Sequence, residues 1–360
     1  MSKPTDGGNQ PFDEWLRVRC GAILARHCGG EKDGIARDLA QRWNERHRAW
    51  HGPEHLRRMV ERIRAEAAPV DLDVLILAAL YDDAIYDPTR TDNEDASVAL
   101  LRGHAKDPSS RPVVEACNLI VASKWDRVPE DRLERFFFDL DAEQLGNSMP
   151  LAMRIRYERA IFREYQWVDW TTYQTKRAAF LRTWAERFPH QQRGTDECLE
   201  ILAAFSPRIA VYPGSFDPFH FGHLSILRQA EHAFDKVIIA LGVNRQKVMP
   251  NSALDQRTAD LSQQLRFHQV AQFSGLLTDY VDQLEMPVTI VRGVRDGTDL
   301  EAELRLSRFL NELRPDTQLL WIACEAALQH VSSSAIRELE SIQPSAGRRY
   351  LPATGDIYGI

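Results

Sequence analysis

The sequence lacks the paired cysteines of a disulfide framework or a thiolate zinc site. Its five cysteines (Cys20, Cys28, Cys117, Cys198 and Cys324) are odd in number, scattered, and never form a CxxC pair. No run approaches the roughly eighteen apolar residues of a membrane-spanning helix. Met1 to Pro11 are polar and glycine-rich, without the apolar core of a signal peptide, so a cytoplasmic protein is expected. An excess of basic charge is missing as well: the net charge is -7. Arginines alternate with acids, as in Glu61-Arg62-Ile63-Arg64-Ala65-Glu66, which reads as a solvated helix face and argues against a nucleic-acid coat. Internal repeats and extended low-complexity segments are absent. What is present is apolar residue enough for two cores, since 360 residues at 44% hydrophobic and 27% charged suit about two soluble domains.

The first half reads as almost entirely helical. Periodicity predicts helices over 12–28, 33–48, 54–66, 71–81, 93–103, 111–123, 129–138, 150–166 and 169–187, with polar or proline-bearing breaks between them. The character changes from Phe188 to Pro207. The expected organisation is a tail over 1–11, an α-helical domain over 12–188, a linker over 189–207 with a short connecting helix at Glu197 to Ala204, an α/β domain over 208–345, and a tail over 346–360. In the second half, strand-like runs at 208–212, 236–243, 268–273, 288–291 and 318–322 alternate with helical patterns at 223–234, 254–265, 276–285, 299–313 and 333–341. Such alternation implies a doubly wound, Rossmann-like parallel sheet with its ligand crevice at the carboxyl ends of the strands.

One stretch carries much of the chemistry: Tyr212-Pro213-Gly214-Ser215-Phe216-Asp217-Pro218-Phe219-His220-Phe221-Gly222-His223. A strand precedes it and an amphipathic helix follows, the arrangement that offers free backbone N–H groups to a phosphate. Further motifs follow in order: Lys247 after the second strand, Phe273-Ser274-Gly275-Leu276-Leu277, Arg292-Gly293-Val294-Arg295, and Val331-Ser332-Ser333-Ser334. Taken singly, each has a plain structural reading. Ser332 to Ser334 can be a helix N-cap, and Arg295 with Asp299 an i,i+4 surface pair. In strand–loop–helix context and in this order, they point to a nucleotide-phosphate site.

The ordered set resembles the bacterial phosphopantetheine adenylyltransferases, of the nucleotidyltransferase superfamily marked by [T/H]xGH, over 208–341. The resemblance implies that ATP and 4′-phosphopantetheine react to give dephospho-coenzyme A and pyrophosphate. The attacking phosphate is already largely ionised, its second pKa being about 6, so no general base is required. The site must instead align two polyanions and neutralise developing charge. By the resemblance, His223 bonds the α-phosphate and His220, often Thr in the family, acts with it. Ser215 and Phe216 lie along the nucleotide, and Lys247 and Arg292 grip the acceptor phosphate beside Leu277. Arg295, Asp299 and Glu303 contact ATP, and Ser332, Ser333 and Ser334 hold the outer phosphates. Mg²⁺ is expected on the phosphates, bound mostly through water and nucleotide oxygens. The resemblance also implies a homo-oligomer, hexameric in those relatives unless the fused helical domain alters assembly. Two departures concern the base and acceptor pockets: Leu328 stands where an aromatic residue is frequent, and Leu310, beside Asn311, where an Asn is usual. Alternatives are AMP or CMP transfer to another phosphorylated small molecule, or a non-catalytic sensor of nucleotide or coenzyme A.

The first half carries its own pattern: Trp50-His51-Gly52-Pro53-Glu54-His55, Leu80-Tyr81-Asp82-Asp83-Ala84-Ile85-Tyr86-Asp87, Asp92 to Ser97, Phe138-Asp139-Leu140-Asp141, and Arg163-Glu164-Tyr165. Over about 12–188 it resembles predicted metal-dependent phosphohydrolases of the HD superfamily. The resemblance implies a divalent-ion site from His55, Asp82, Asp83, and Asp139 or Asp141. Pro53 suits the first helical position, which leaves His51 outside the helix and His55 in its first turn, so the two are not an i,i+4 zinc pair. Asp82-Asp83 replaces the His-Asp pair of the superfamily, a change that favours Mg²⁺ or Mn²⁺ over softer ions. The competing expectation is a helical scaffold that has lost its chemistry.

Overall fold

The computed structural model describes residues 10–30, 32–243 and 251–359. It is mostly helical, with one five-stranded parallel sheet in the C-terminal region. Among the described residues, ten α-helices come first: α1 (Phe12–His27), α2 (Lys32–Trp43), α3 (Pro53–Glu66), α4 (Leu72–Tyr81), α5 (Asn93–His104), α6 (Arg111–Ala122), α7 (Arg132–Asp141), α8 (Leu151–Glu164), α9 (Trp170–Arg187) and α10 (Gln192–Ala204). Then come β1 (Ile209–Gly214), α11 (Phe221–Ala233), β2 (Lys236–Val243), α12 (Asn251–Gln264), β3 (Val270–Ser274), α13 (Leu277–Gln283), β4 (Val288–Val294), α14 (Gly297–Leu313), β5 (Gln318–Ala323), α15 (Ser333–Ile342) and α16 (Thr354–Tyr358). Two compact units result. One takes the described residues up to Glu164 together with Gln174–Ala204, the other Tyr165–Tyr173 and Phe205–Tyr358. No helix among the described residues is long and apolar enough to cross a membrane.

The first unit is built round α4. Every residue from Val74 to Tyr81 is buried, as a helix apolar on all sides requires, and α1, α3, α5 and α6 pack against it. Two expectations change here. The helix predicted over 33–48 stops at Trp43, because the backbone of Ala49, Trp50 and His51 turns its N–H groups onto the Glu164 carboxylate. The segment read as a linker over 189–207 is largely α10, whose buried Thr195, Cys198 and Leu202 pack beside α8. Its polar look arises from the outer face of an amphipathic helix.

The second unit orders its strands β3-β2-β1-β4-β5, all parallel. β1 is central and almost wholly buried, since helices cover both faces. Alternate residues feed two cores: Ala210 and Tyr212 face one, Ile209 and Val211 the other. Chain order reverses between β1 and β4, which opens a crevice at their carboxyl ends. Residues 346–360, read as a tail, contribute α16 instead. Ile357 and Tyr358 enter the core, and the Tyr358 hydroxyl accepts from Phe267 N–H and pairs with His268 Nδ1 at 3.0 Å.

Candidate active site

In the second unit, β1 ends at Gly214 against the ring of Phe216, a non-glycine residue at φ +45°. A Cβ on Gly214 would lie 2.8 Å from that ring, so any larger residue there has to displace the buried Phe216 side chain. The chain then reaches His220, which caps α11. The His220 ring accepts the His223 N–H and the His223 ring accepts the His220 N–H, both through Nδ1 at 3.3 Å. This reciprocal cap assigns the protons. With Nδ1 accepting on each ring, Nε2–H is the remaining donor on each. The rings stack at 3.6 Å between centroids. Desolvation, then the Arg295 charge, lowers the His220 pKa to about 4. Desolvation, His220 and Arg295 push that of His223 well below the usual value. Both are neutral donors at neutral pH.

A cavity of about 290 Å³ lies before them, lined by Phe216, His220, His223, Arg292, Arg295, Asp299, Glu303, Ser332 and Ser333 among others. Nine of the predicted residues thus meet in one place. A second, mostly apolar cavity of about 420 Å³ is lined by Ser215, Leu277, Arg292 and the α14 residues Leu306, Phe309, Leu310 and Leu313. The two share Pro213, Gly214 and Arg292. The α14 stripe was not assigned from sequence, although its spacing is a plain helical face.

Other expectations change. Ser334 is exposed on α15 and lines neither cavity. Ser332 uses its hydroxyl oxygen to cap α15, accepting from Ala335 N–H at 3.1 Å, and Ser333 donates to the Pro218 carbonyl at 3.1 Å. Lys247 lies outside the described residues. Both arginines are engaged: Arg292 donates to both Glu303 oxygens at 2.8 and 2.6 Å, and Arg295 to both Asp299 oxygens at 2.7 and 3.0 Å.

In the first unit, His55 (first turn of α3), Asp83 (after α4) and Asp141 (end of α7) each present one ligand atom, all within 4.8 Å of one another. His55 is 1% exposed, yet among the described residues neither ring nitrogen has a hydrogen-bond partner. Its Nε2 stands 3.5 Å from an Asp141 oxygen, close in charge terms but poorly placed for a bond. A buried, unpartnered imidazole beside two carboxylates is a donor set that fits a divalent cation. Burial, chiefly, raises the Asp83 pKa, and Asp141 adds to it. The indole Nε1–H of Trp125 donates to Asp141 at 2.6 Å and orients it.

The remaining predicted ligands stand apart. Asp139 is exposed, because at the end of α7 only Asp141 turns inward. Asp82 is buried but accepts from the Ser123 hydroxyl at 2.6 Å and is not among the three grouped ligands. Burial, Asp141 and Asp83 raise its pKa well above the carboxylate range. Sequence reasoning gave Glu164 no role. Its fully buried carboxylate takes N–H bonds from Ala49, Trp50 and His51 at 2.7–2.9 Å, the Tyr86 hydroxyl at 2.7 Å, and His51 Nδ1 at 2.7 Å. The His51 ring in turn meets that of His55 edge-on at 5.9 Å.

Comparison with known proteins bears on the second unit. The cytidylyltransferase-like family model matches residues 211–339. A phosphopantetheine adenylyltransferase of Geotalea daltonii is 36% identical over 140 residues, covering 38% of this chain and 84% of the relative. Those of Lawsonia intracellularis (33% over 138 residues, 38% and 79%) and Clostridium tetani (36% over 134 residues, 36% and 82%) are similar in the same region. Through its second unit, the chain belongs to the phosphopantetheine adenylyltransferase family of nucleotidyltransferases.

Proposed function

We propose that the second unit transfers AMP from ATP to 4′-phosphopantetheine, giving dephospho-coenzyme A and pyrophosphate, a step of coenzyme A synthesis. The observation that carries this is the pair of contiguous cavities. One is headed by two Nε2–H donors at a helix N-terminus; the other, about 420 Å³ and mostly apolar, suits a pantetheine arm. They meet at Arg292, where the acceptor phosphate must face the α-phosphorus. An acceptor phosphate oxygen forms the new P–O bond as the bond to pyrophosphate breaks. His223 and His220 donate to the α-phosphoryl oxygens, whose charge rises in the transition state. Arg292 steadies the acceptor phosphate with Leu277 and Ser215 beside it, and Lys247 takes the partner role in that grip. Arg295 faces the nucleotide with Asp299 and Glu303, and the free N–H groups at the start of α15 face its outer phosphates. Mg²⁺ carried by ATP supplies further neutralisation. Five buried, unpaired thiols support a cytoplasmic setting, and the exposed Leu300 and Leu304 of α14, outside both cavities, support self-association.

The test is pyrophosphate release. ATP with phosphopantetheine is expected to turn over, and CTP or other phosphomonoesters to do so far more slowly. Preference for another pair would favour AMP or CMP transfer to a different acceptor. ATP binding without any release would favour a sensor.

For the first unit, the proposal is an HD-type domain in which His55, Asp83 and Asp141 hold Mg²⁺ or Mn²⁺, with phosphohydrolase activity as the function. The orphaned imidazole of His55 supports it. The ion, when bound, would supply an activated water. Mn²⁺ should raise the Tm of this unit, by about 2.7 kcal/mol of stabilisation at a hundredfold excess over Kd. In Asp83→Asn that gain should vanish while the metal-free Tm holds or rises, because a crowded carboxylate has been neutralised. An unaltered gain in the variant, or none in the wild type, would end the proposal.

A further inference from the structure

Among the described residues lining the phosphate cavity, the formal charges cancel: Arg292 and Arg295 are each matched by a carboxylate, Glu303 and Asp299. Among these residues, attraction for two polyanions therefore rests on neutral donors until an arginine is released from its carboxylate. The two pairs differ in kind. Arg295–Asp299 is an i,i+4 pair whose arginine lines the phosphate cavity alone. Both are bidentate through Nε and Nη2, but Arg292, on β4, joins two elements by reaching across to Glu303 on α14. The pair is shielded, its side chains being 25% and 15% exposed, so it is firmer than an open surface bridge. Arg292 is also the one charged side chain among the described residues that lines both cavities.

We infer that the Arg292–Glu303 pair is a latch between the two halves of the site, so that nucleotide and acceptor bind with positive cooperativity. The inference rests on the adenylyl-transfer reading. The acceptor phosphate and the α-phosphate must approach each other where the cavities join, which is where Arg292 stands. Whichever anion arrives first must draw Arg292 away from Glu303 and bear the cost of parting them. The second finds the guanidinium already turned to the junction. Coupling of this kind is reciprocal: each ligand strengthens the other by the same factor. In this coupling Glu303 is a positioning residue, acting through Arg292, and it faces the nucleotide once the pair has parted.

The experiment is calorimetry on the full chain with phosphopantetheine and α,β-methylene-ATP, which cannot transfer its adenylyl group. In the wild type, saturating α,β-methylene-ATP should lower the Kd of phosphopantetheine by about fivefold or more. In Glu303→Gln, phosphopantetheine alone should bind more tightly than to the wild type, and the added nucleotide should change little further. A merely structural role for Glu303 predicts the reverse, a loss of affinity. The latch is overturned if both ligands bind the wild type with a coupling factor of one or less, or if Glu303→Gln keeps full coupling. In either case adenylyl transfer still stands. Failure of both ligands to bind the wild type overturns adenylyl transfer and the latch together. A wild-type factor of one or less overturns the latch even if the variant does not fold.

Discussion

His223→Ala should lower kcat by about 10²–10³-fold, the usual cost of removing one preorganised donor from a developing oxyanion, while the Kd for ATP changes little. The difference arises because the ground-state α-phosphate already shares its charge over several oxygens, and the bond to Nε2–H strengthens as the fifth ligand approaches phosphorus. The cap makes this donor rigid: Nδ1 of His223 is held by the His220 N–H, so Nε2 needs no reorientation during reaction. The variant keeps the His220 Nδ1 bond to the N–H at position 223 and loses only the return bond to His220 N–H, about 0.5–1.5 kcal/mol of stability, which a thermal melt measures separately from kcat. Single-turnover rates beside ATP titration make the comparison. An unchanged kcat would remove His223 from the proposed role, and a loss confined to KM would make it a ground-state binding residue.

How much of this was legible in the sequence depends on distance along the chain. The loop from Tyr212 to His223 could be read because its parts are local: a strand, a glycine turn and a helix start lie within twelve residues. The reciprocal cap was not read, since sequence rules expect Ser, Thr, Asp or Asn there and not two histidines serving each other. Arg292 and Glu303 could each be named, but their pairing depends on how α14 lies over β4. Ser332 and Ser333 line the cavity while Ser334 is exposed, and a run of three serines does not say which hydroxyl points inward. In the first unit, Asp139 and Asp141 are two apart at the end of α7, and only the fold decides between them. Glu164 and His51 are separated by 113 residues. Nothing local marks that carboxylate as the anchor of a distant turn, and the same missing contact let helical periodicity run past Trp43.

Glu164→Ala should be the most destabilising single change in the first unit. The carboxylate is fully buried and satisfies three backbone N–H groups, a tyrosine hydroxyl and an imidazole, and alanine leaves all five without this acceptor. Breaking a buried charged network by removing one partner costs about 3–5 kcal/mol. Glu164→Gln, which keeps one carbonyl acceptor, should lose less. The pH dependence separates the ion pair from the packing. Burial opposes charge on both groups, but His51 and the donors around it hold the Glu164 pKa down at about 2. Glu164, Asp83 and Asp141 together hold that of His51 up at about 9. For His51, stabilisation is complete below its unfolded pKa of about 6.5 and is lost as pH rises through the folded value. For Glu164, it is present above its unfolded value near 4.3 and is lost as pH falls toward the folded one. The two shifts describe one contact and count once. Urea unfolding of this unit in EDTA should therefore show the largest gap between wild type and Glu164→Ala near pH 5.5, narrowing toward pH 9. A gap that stays constant across that range would mean the carboxylate acts through its backbone hydrogen bonds alone, with His51 neutral beside it.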